Sequence, residues 1–442
     1  MQNKILINDK IAQFKKKIEV SSDKSLSIRA VLLASQAVGK SKLSNLLESE
    51  DVLNALKTIK KLGIKYKKKG KIYEIHGNGL NGFKAKNNTI IDAGNSGTLG
   101  RLILGLLVKF EKKIKLVGDK SLSKRDFSRV TGPLKNFGAN IKSKGNFLPI
   151  VMQGTSFLRP IKYIENKGSA QCKSAVMLAA LNTPGTTFIK AKKSRDHTER
   201  LFKNLNISMK LIKKKNYDLI EVKGLKQFNS FDYIVPGDIS SSAFFIVLTA
   251  LSNNSQVTIK NININESRIG IIKILKKMNC KILFKNKKIY KGEPTADIFV
   301  KSSKKVKPIN CSSYLNSSAI DEFLLIFLCA AKANGVSRFK NLSELNKKES
   351  PRLDIAIKML KMMGIKVRRK KDNINIYGKQ NLNLNGNFHI KNYQKDHRVA
   401  MTAVIAALSY GGNWKIEDVE ESIKTSFPNF LEIIKKLGAK IN

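Results

Sequence analysis

The sequence predicts an α/β protein assembled from six related units, and three observations lead there. Six times an amphipathic stretch closes on Gly or Asn and runs directly into a short β-like segment. The intervals between those closing residues, 75, 68, 73, 85 and 74, are nearly even. A second set of helices, apolar on almost every side, alternates with the amphipathic set along the whole chain. Gly and Asn accept the left-handed backbone that ends a helix, so one structural role recurs at every closure. A period this long is a whole supersecondary unit, larger than a solenoid repeat.

In chain order the copies are LKTIKKLGIKY around Gly63, VTGPLKNFGANIK around Gly138, ERLFKNLNISMKL around Asn206, IIKILKKMNCKIL around Asn279, AIKMLKMMGIKVR around Gly364 and EIIKKLGAKIN around Gly438. Strands such as KIYEIHG, IKLVG, FIKAKK, QVTIKNI and INIYG lie among them, with the short apolar runs that mark β-structure. The apolar helices are RAVLLASQAV, RLILGLLVKF, CKSAVMLAALN, SSAFFIVLTAL, IDEFLLIFLCAA and RVAMTAVIAALS. A helix apolar nearly all round belongs inside, so helices rather than sheet should form the centre of the fold. A chain of 442 residues is too long for one ordinary core, and two domains of about 200 residues are the natural division. No Pro/Gly/Ser linker separates them. The best crossings fall near Val20 to Asp23 and Val235 to Asp238, giving a first domain over 23–236 and a second over 1–22 and 237–442.

Composition narrows the function classes. The formal net charge of +50 invites a nucleic-acid reading, because a basic surface attracts phosphate. Yet the lysines are spread over the entire length among abundant Asn and Ile, as an AT-rich coding bias would leave them, and no zinc-finger, RNP or helix-turn-helix pattern occurs. Nucleic acid is therefore not the expected partner, whereas small anionic substrates suit the charge. The start MQNKILINDKIAQFKKKIEV lacks the apolar core of a signal peptide. No apolar run reaches the roughly 18 residues of a membrane helix, FLLIFLCAA being the best candidate. A soluble, cytoplasmic protein without a membrane partner is expected. Cys172, Cys280, Cys311 and Cys329 are scattered without ligand spacing, so no metal is expected.

The chemistry gathers where apolar helices begin. Lys24 opens one, with Ser25 and Arg29 in its first turns; Asn95, Ser96, Gly97 and Thr98 open another, with Arg101 just inside. Lys348 and Arg352 stand at a third start, and Asp396, His397 and Arg398 at a fourth. Cations there oppose the helix dipole, at a cost of about 0.3–1 kcal/mol each, unless an anion lies between. With free backbone N–H groups they make an anion site. Lys and Arg are 83 of the 442 residues, so any one of these alone is ordinarily solvated surface. Four entering apolar helices are harder to explain that way. Asp321 and Glu322, heading IDEFLLIFL, have a plain alternative as capping carboxylates.

Taken in order, Lys24-Ser25 with Arg29, Asn95-Ser96-Gly97-Thr98, Arg125 in KSLSKRD, Ser169-Ala170-Gln171, Asp321-Glu322, Lys348-Glu349 with Arg352, Asp396-His397-Arg398 and Thr425-Ser426-Phe427-Pro428 resemble the 5-enolpyruvylshikimate-3-phosphate synthases across essentially the full chain. The resemblance implies a two-domain inside-out α/β barrel of six βαβαββ units, three per domain. It implies transfer of the enolpyruvyl group of phosphoenolpyruvate to the 5-hydroxyl of shikimate 3-phosphate, with release of phosphate and without a cofactor, by a monomer whose domains close at the two crossings. By the same resemblance, Lys24, Ser25, Arg29, Ser169, Gln171, Arg195, Asp321 and Lys348 hold shikimate 3-phosphate, and Lys24, Gly97, Arg125, Gln171, Arg352 and Arg398 hold phosphoenolpyruvate. Asp321, Glu349 and Lys24 are the implied catalytic groups: Asp321 for the 5-hydroxyl proton, Glu349 with Lys24 for the methylene proton. Glyphosate, the family's inhibitor, is expected to compete with phosphoenolpyruvate beside Gly97.

Several positions depart from the family pattern. Ser21-Ser22-Asp23 stands for the usual Pro-Gly before the first Lys, Asp126 for a Pro, Ala170 for a Ser, Leu102 for a common Pro, and Thr425-Ser426 for a Lys whose role is not carried over. Lys348-Glu349-Ser350-Pro351-Arg352 lacks an Asp; Ser350 as N-cap and Pro351 as first helical residue would still start that helix. UDP-N-acetylglucosamine enolpyruvyltransferase is the nearest rival, but this chain has Lys24-Ser25 where it has Lys-Asn, and no Cys between residues 110 and 135. A decayed paralogue that binds anionic metabolites without turnover is the remaining alternative, against which Lys24, Asp321 and Glu349 count.

Overall fold

A computed structural model describes residues 4–442 of the chain; residues 1–3, assigned above to the second domain, lie outside the described residues. All six closing residues have positive φ: Gly63 (84°), Gly138 (116°), Asn206 (53°), Asn279 (69°), Gly364 (70°) and Gly438 (100°). At each the backbone closes the same way. Gly63 N–H donates to Lys60 O and Ile64 N–H to Ile59 O, and Gly364 N–H to Lys361 O and Ile365 N–H to Leu360 O. This is the Schellman arrangement, in which two orphan carbonyls at a helix end are satisfied by the residues that follow.

The described residues divide into two compact units, an N-terminal one of Ser22–Val235 with Tyr290–Glu293, and a C-terminal one of 4–21, Pro236–Ile289 and Pro294–Asn442. The N-terminal unit has three four-stranded sheets of one design. In the first, Asp232–Ile234 runs parallel to Val38–Ser44, which pairs antiparallel with Ile72–Asn78, itself antiparallel to Lys65–Lys69. The sheets begun by Thr89–Asp92 and Lys162–Glu165 repeat that order of one parallel and two antiparallel pairings. In the C-terminal unit one sheet has four strands and two have three. The last is completed by the chain start, where Lys4–Ile7 pairs antiparallel with Asn413–Glu417 and Leu6 exchanges backbone hydrogen bonds with Asn442.

The apolar helices lie within the units, as their composition requires. Lys24–Gln36 packs on Gly97–Leu106, and Gly97–Leu106 on Ala170–Leu181, in the N-terminal unit. Gly105 lets the last two approach, because a Cβ there would lie 2.2 Å from the Ala175 carbonyl oxygen. In the C-terminal unit Ile239–Leu251, Phe323–Lys332 and His397–Tyr410 pack against one another. Every residue of Ile239–Leu251 is buried, each large apolar side chain contributing about 1.5–3 kcal/mol. Among the described residues no helix is long and apolar enough to cross a membrane.

Candidate active site

Several implied site residues stand at the N-terminal ends of buried helices; Arg352 instead opens the amphipathic helix Arg352–Met362, and Arg125 follows the short turn Leu122–Lys124. In the N-terminal unit Asp23 caps the Lys24 helix by accepting from Leu26 N–H, Ser96 caps the Gly97 helix through Leu99 N–H, and Ser169 caps the Ala170 helix through Cys172 N–H. These caps fix the first turns from which Lys24, Ser25, Gly97 and Gln171 project. The loop before Ser169 is organised by Glu165, which accepts from Arg129 Nη2, Lys167 N–H and Gly168 N–H. Lys24 Nζ pairs with Asp51 at 3.0 Å.

Around Gly97 two guanidiniums converge, since a Cβ on that glycine would lie 2.7 Å from Arg101 Nη1 and 3.1 Å from Arg125 Nη1. Arg101 Nη1 donates to Gln171 Oε1 at 3.0 Å and to Gly97 O at 3.2 Å, while Gln171 Nε2 donates to Thr98 Oγ1 at 3.0 Å. Gln171 is thereby clamped at both ends of its carboxamide. Arg101 also stacks 4.7 Å over the Phe127 ring. Burial first, and then the like charges of Arg125 and Arg129, pull the Arg101 guanidinium down to about 10. It still carries its charge at neutral pH, in surroundings that favour an added anion. Arg125 Nη2 is steadied by Asn95 Oδ1 at 3.1 Å. Deeper, Arg29 donates to Thr198 Oγ1, Ser25 O and Ser174 Oγ. Arg195 stands half-buried just before the helix His197–Asn204.

The C-terminal unit is built around Arg352, the first residue of the helix Arg352–Met362 and 1% exposed. Its Nε donates to Asp396 Oδ2 at 2.8 Å, its Nη1 to Asp321 Oδ1 at 3.1 Å and its Nη2 to Glu349. Lys348 Nζ lies 3.5 Å from the same Asp321 oxygen. Arg398 Nη1 donates to Asp321 O at 3.1 Å and sits 3.8 Å from Glu322 Oε1. Burial disfavours the charge on Arg352, but Asp396, Glu349 and Asp321 outweigh it and hold its pKa above the usual guanidinium range. Burial likewise raises Asp396, and Arg352 more than reverses this, leaving that carboxyl below its ordinary value.

One sequence expectation is corrected here, and one alternative is closed for Glu322. Ser350 is not an N-cap: the helix starts at Arg352 with Pro351 in the cap position, and Ser350 Oγ donates to Asp396 Oδ2 instead. The capping falls to Asn346, whose Oδ1 accepts from Leu353 N–H at 2.9 Å. Nor does Glu322 cap its helix with its side chain; its carboxylate accepts from Ser240 Oγ. Sequence reading assigned no role to Asp51, which reads as an ordinary acidic residue in the first turn of the amphipathic helix Glu50–Lys61, nor to Arg101 or Asp396 beyond their motifs. Burial is what separates Asp51 from the exposed acids, and the motif spacing does not encode it. Among the described residues no group of three His, Cys, Asp or Glu is arranged to hold a metal ion.

Comparison with known proteins follows the same outline. The family model for EPSP synthase (3-phosphoshikimate 1-carboxyvinyltransferase) matches residues 8–434. A 3-phosphoshikimate 1-carboxyvinyltransferase of Ruthia magnifica subsp. Calyptogena magnifica is 40% identical over 430 residues, covering 96% of each chain. One from Bacillus pumilus is 36% identical over 423 residues, covering 95% of this chain and 96% of its own. Among solved structures, an EPSP synthase from Acinetobacter baumannii superposes with a TM-score of 0.87 at 34% identity, covering 100% of this chain and 99% of that one.

Proposed function

The chain belongs to the EPSP synthase family, and from that premise we propose how its residues carry out the family's reaction. The protein is a 3-phosphoshikimate 1-carboxyvinyltransferase: it transfers the enolpyruvyl group of phosphoenolpyruvate to the 5-hydroxyl of shikimate 3-phosphate and releases phosphate, a step of aromatic amino acid biosynthesis. Ser25, Arg29, Ser169, Gln171, Arg195 and Lys348 bind shikimate 3-phosphate; Gly97, Arg125, Gln171, Arg352 and Arg398 bind phosphoenolpyruvate; Lys24 serves both. The enzyme works as a cytoplasmic monomer.

The observation that carries this assignment is the meeting of Asp321 and Glu349 on the single guanidinium of Arg352, with Lys348 beside Asp321. The reaction needs two proton carriers. In the addition the 5-hydroxyl oxygen bonds to C2 of phosphoenolpyruvate, its proton passes to Asp321, and the methylene carbon gains a proton from Glu349, assisted by Lys24. In the elimination the new methyl gives that proton back, the C2–O bond to phosphate breaks with its electron pair, and the enol ether is restored. The cycle needs one carboxyl that starts ionised, Asp321, and one that starts protonated, Glu349, each returning to its first state in the elimination, and a pair fixed on one arginine suits that exchange. The substrates together bring two phosphates and a carboxylate on each side of the reacting bond or nearby, and the fixed cations offset their repulsion without reorganising during the reaction.

A phosphate-release assay on purified protein decides the substrate. Release with phosphoenolpyruvate plus shikimate 3-phosphate, and none with UDP-N-acetylglucosamine as acceptor, is expected. The reverse pattern, or no release with either at saturation, would overturn the assignment.

A further inference from the structure

Beneath the Arg29 site lies a charge pair to which the reaction assigns no work. Lys173 Nζ stands 2.5 Å from Glu199 Oε1, the two side chains 0% and 1% exposed. Neither atom has an aligned hydrogen bond, so this is a contact of charges. The next residues along the same two helices also meet: Ser174 Oγ lies 2.7 Å from Thr198 Oγ1. Both hydroxyls accept from Arg29, Thr198 from Nε at 2.9 Å and Ser174 from Nη2 at 3.3 Å.

Register is what this arrangement controls. The Ala170–Leu181 helix is buried from Cys172 to its end, and apolar burial is non-directional, setting a position less sharply than paired polar groups do. Two consecutive couplings, 173 with 199 and 174 with 198, do fix one, because a one-residue slip breaks both. A buried ion pair is weak evidence for stability but is an attested device for setting register. The second helix is anchored independently, by His197 Nδ1 at 2.7 Å from Glu293 Oε1 and by Arg200 Nη1 donating to Gly292 O at 2.8 Å. One side of the coupling thus carries Ser169 and Gln171, the other follows directly on Arg195, and Arg29 is held between them.

We propose that Ser174 and Thr198, kept in register by the buried Lys173–Glu199 pair, are positioning residues that aim the Arg29 guanidinium at shikimate 3-phosphate and set the spacing of Arg195 from Ser169. The proposal rests on the assignment of Arg29 to that substrate. Its mark is selectivity: the network touches the acceptor's groups and not Arg125, Arg352 or Arg398.

Thr198→Val keeps the side-chain shape and deletes the acceptor for Arg29 Nε. Its Kd for shikimate 3-phosphate by calorimetry, and the matching KM, should rise about 10-fold or more, the loss of one hydrogen bond to a charged group. The KM for phosphoenolpyruvate and kcat should hold within about twofold, and Thr198→Ser should restore affinity through the same bond. Lys173→Met with Glu199→Leu, an apolar exchange that buried pairs tolerate, keeps the protein folded where either single change fails, and should weaken shikimate 3-phosphate binding in the same selective way. Wild-type affinity in Thr198→Val and in the double variant, with only the melting temperature altered, overturns the positioning role. Arg29→Ala distinguishes the underlying assignment: unchanged shikimate 3-phosphate binding there removes Arg29 from the site and the proposal with it.

Discussion

Arg101 in the N-terminal unit and Arg352 in the C-terminal unit occupy similar stations, each in the first turns of a helix that runs into a hydrophobic core, yet their partners differ in kind. Arg101 donates to the carbonyls of Gly97 and Asp126 and to the carboxamide of Gln171. Arg352 donates to three carboxylates, of Asp396, Asp321 and Glu349. A guanidinium held by neutral dipoles keeps its charge uncompensated, and its lowered pKa records that. One wrapped by carboxylates is charge-compensated, and it holds acid groups in fixed positions. The first arrangement favours binding anions; the second favours moving protons.

Substitutions can break that division. The largest effect belongs to the carboxylates: Asp321→Ala should lower kcat by about 10²–10⁴-fold, the usual contribution of a positioned general base, while shikimate 3-phosphate binding stays measurable by calorimetry. A variant turning over at the wild-type rate would remove Asp321 from the chemistry and blur the two units' roles. Next comes stability. Asp396→Ala takes from Arg352 its most buried partner, 0% exposed, and breaking a buried pair costs about 3–5 kcal/mol in denaturant titration. A loss under 1 kcal/mol would mean that Asp321 and Glu349 compensate Arg352 alone.

The same carboxylate gives that stability a pH signature. The Asp396 carboxyl titrates below its ordinary value in the fold, so its contribution is complete above the unfolded aspartate pKa of about 3.9 and fades as pH falls through the lower native value. Unfolding free energy measured across that acid window should fall less steeply in Asp396→Asn than in the parent. Parallel curves would take Asp396 out of the acid limb. On the binding side the effect is smaller: Arg125→Gln removes a charged donor worth about 1.5–3 kcal/mol, and should raise the KM for phosphoenolpyruvate with little change in shikimate 3-phosphate affinity. Equal loss of both substrates would show that the cations of the N-terminal unit act as one undivided field.

How much of this was legible in the sequence follows from which forces are local. The six helix closures were visible because left-handed backbone strongly selects Gly or Asn, and all six have positive φ. The buried helices were visible because their apolar residues leave no polar face. Motif order pointed to Arg352 and Asp321, but not to what joins them. That Ser350 turns to Asp396 and leaves the cap to Asn346 depends on which side chains come within reach after folding. Local propensity at Ser350-Pro351 favoured the other outcome, and the acceptor oxygens of the buried Asp396 carboxylate outweighed it. Lys173 and Glu199 were hidden for the same reason: in a chain so rich in lysine, only burial sets one apart.

The smallest predicted effect, that of Gly364→Ala, belongs to a comparison of the units through a feature they share. Gly63 in the N-terminal unit and Gly364 in the C-terminal unit close their helices with the same two hydrogen bonds at φ of 84° and 70°. Gly364 faces open space, with nothing within 4 Å of an added Cβ, whereas at Gly63 that carbon would lie 2.6 Å from the Lys84 carbonyl oxygen. Gly364→Ala should therefore cost only the left-handed backbone, about 1 kcal/mol. Gly63→Ala adds the displacement of a backbone carbonyl, an overpacking cost of about 1–3 kcal/mol more. Chemical denaturation of the two variants separates the terms, because their difference contains the contact and not the φ. Equal losses would mean that the Lys84 segment yields freely, and that the two closures differ in sequence neighbourhood without differing in constraint.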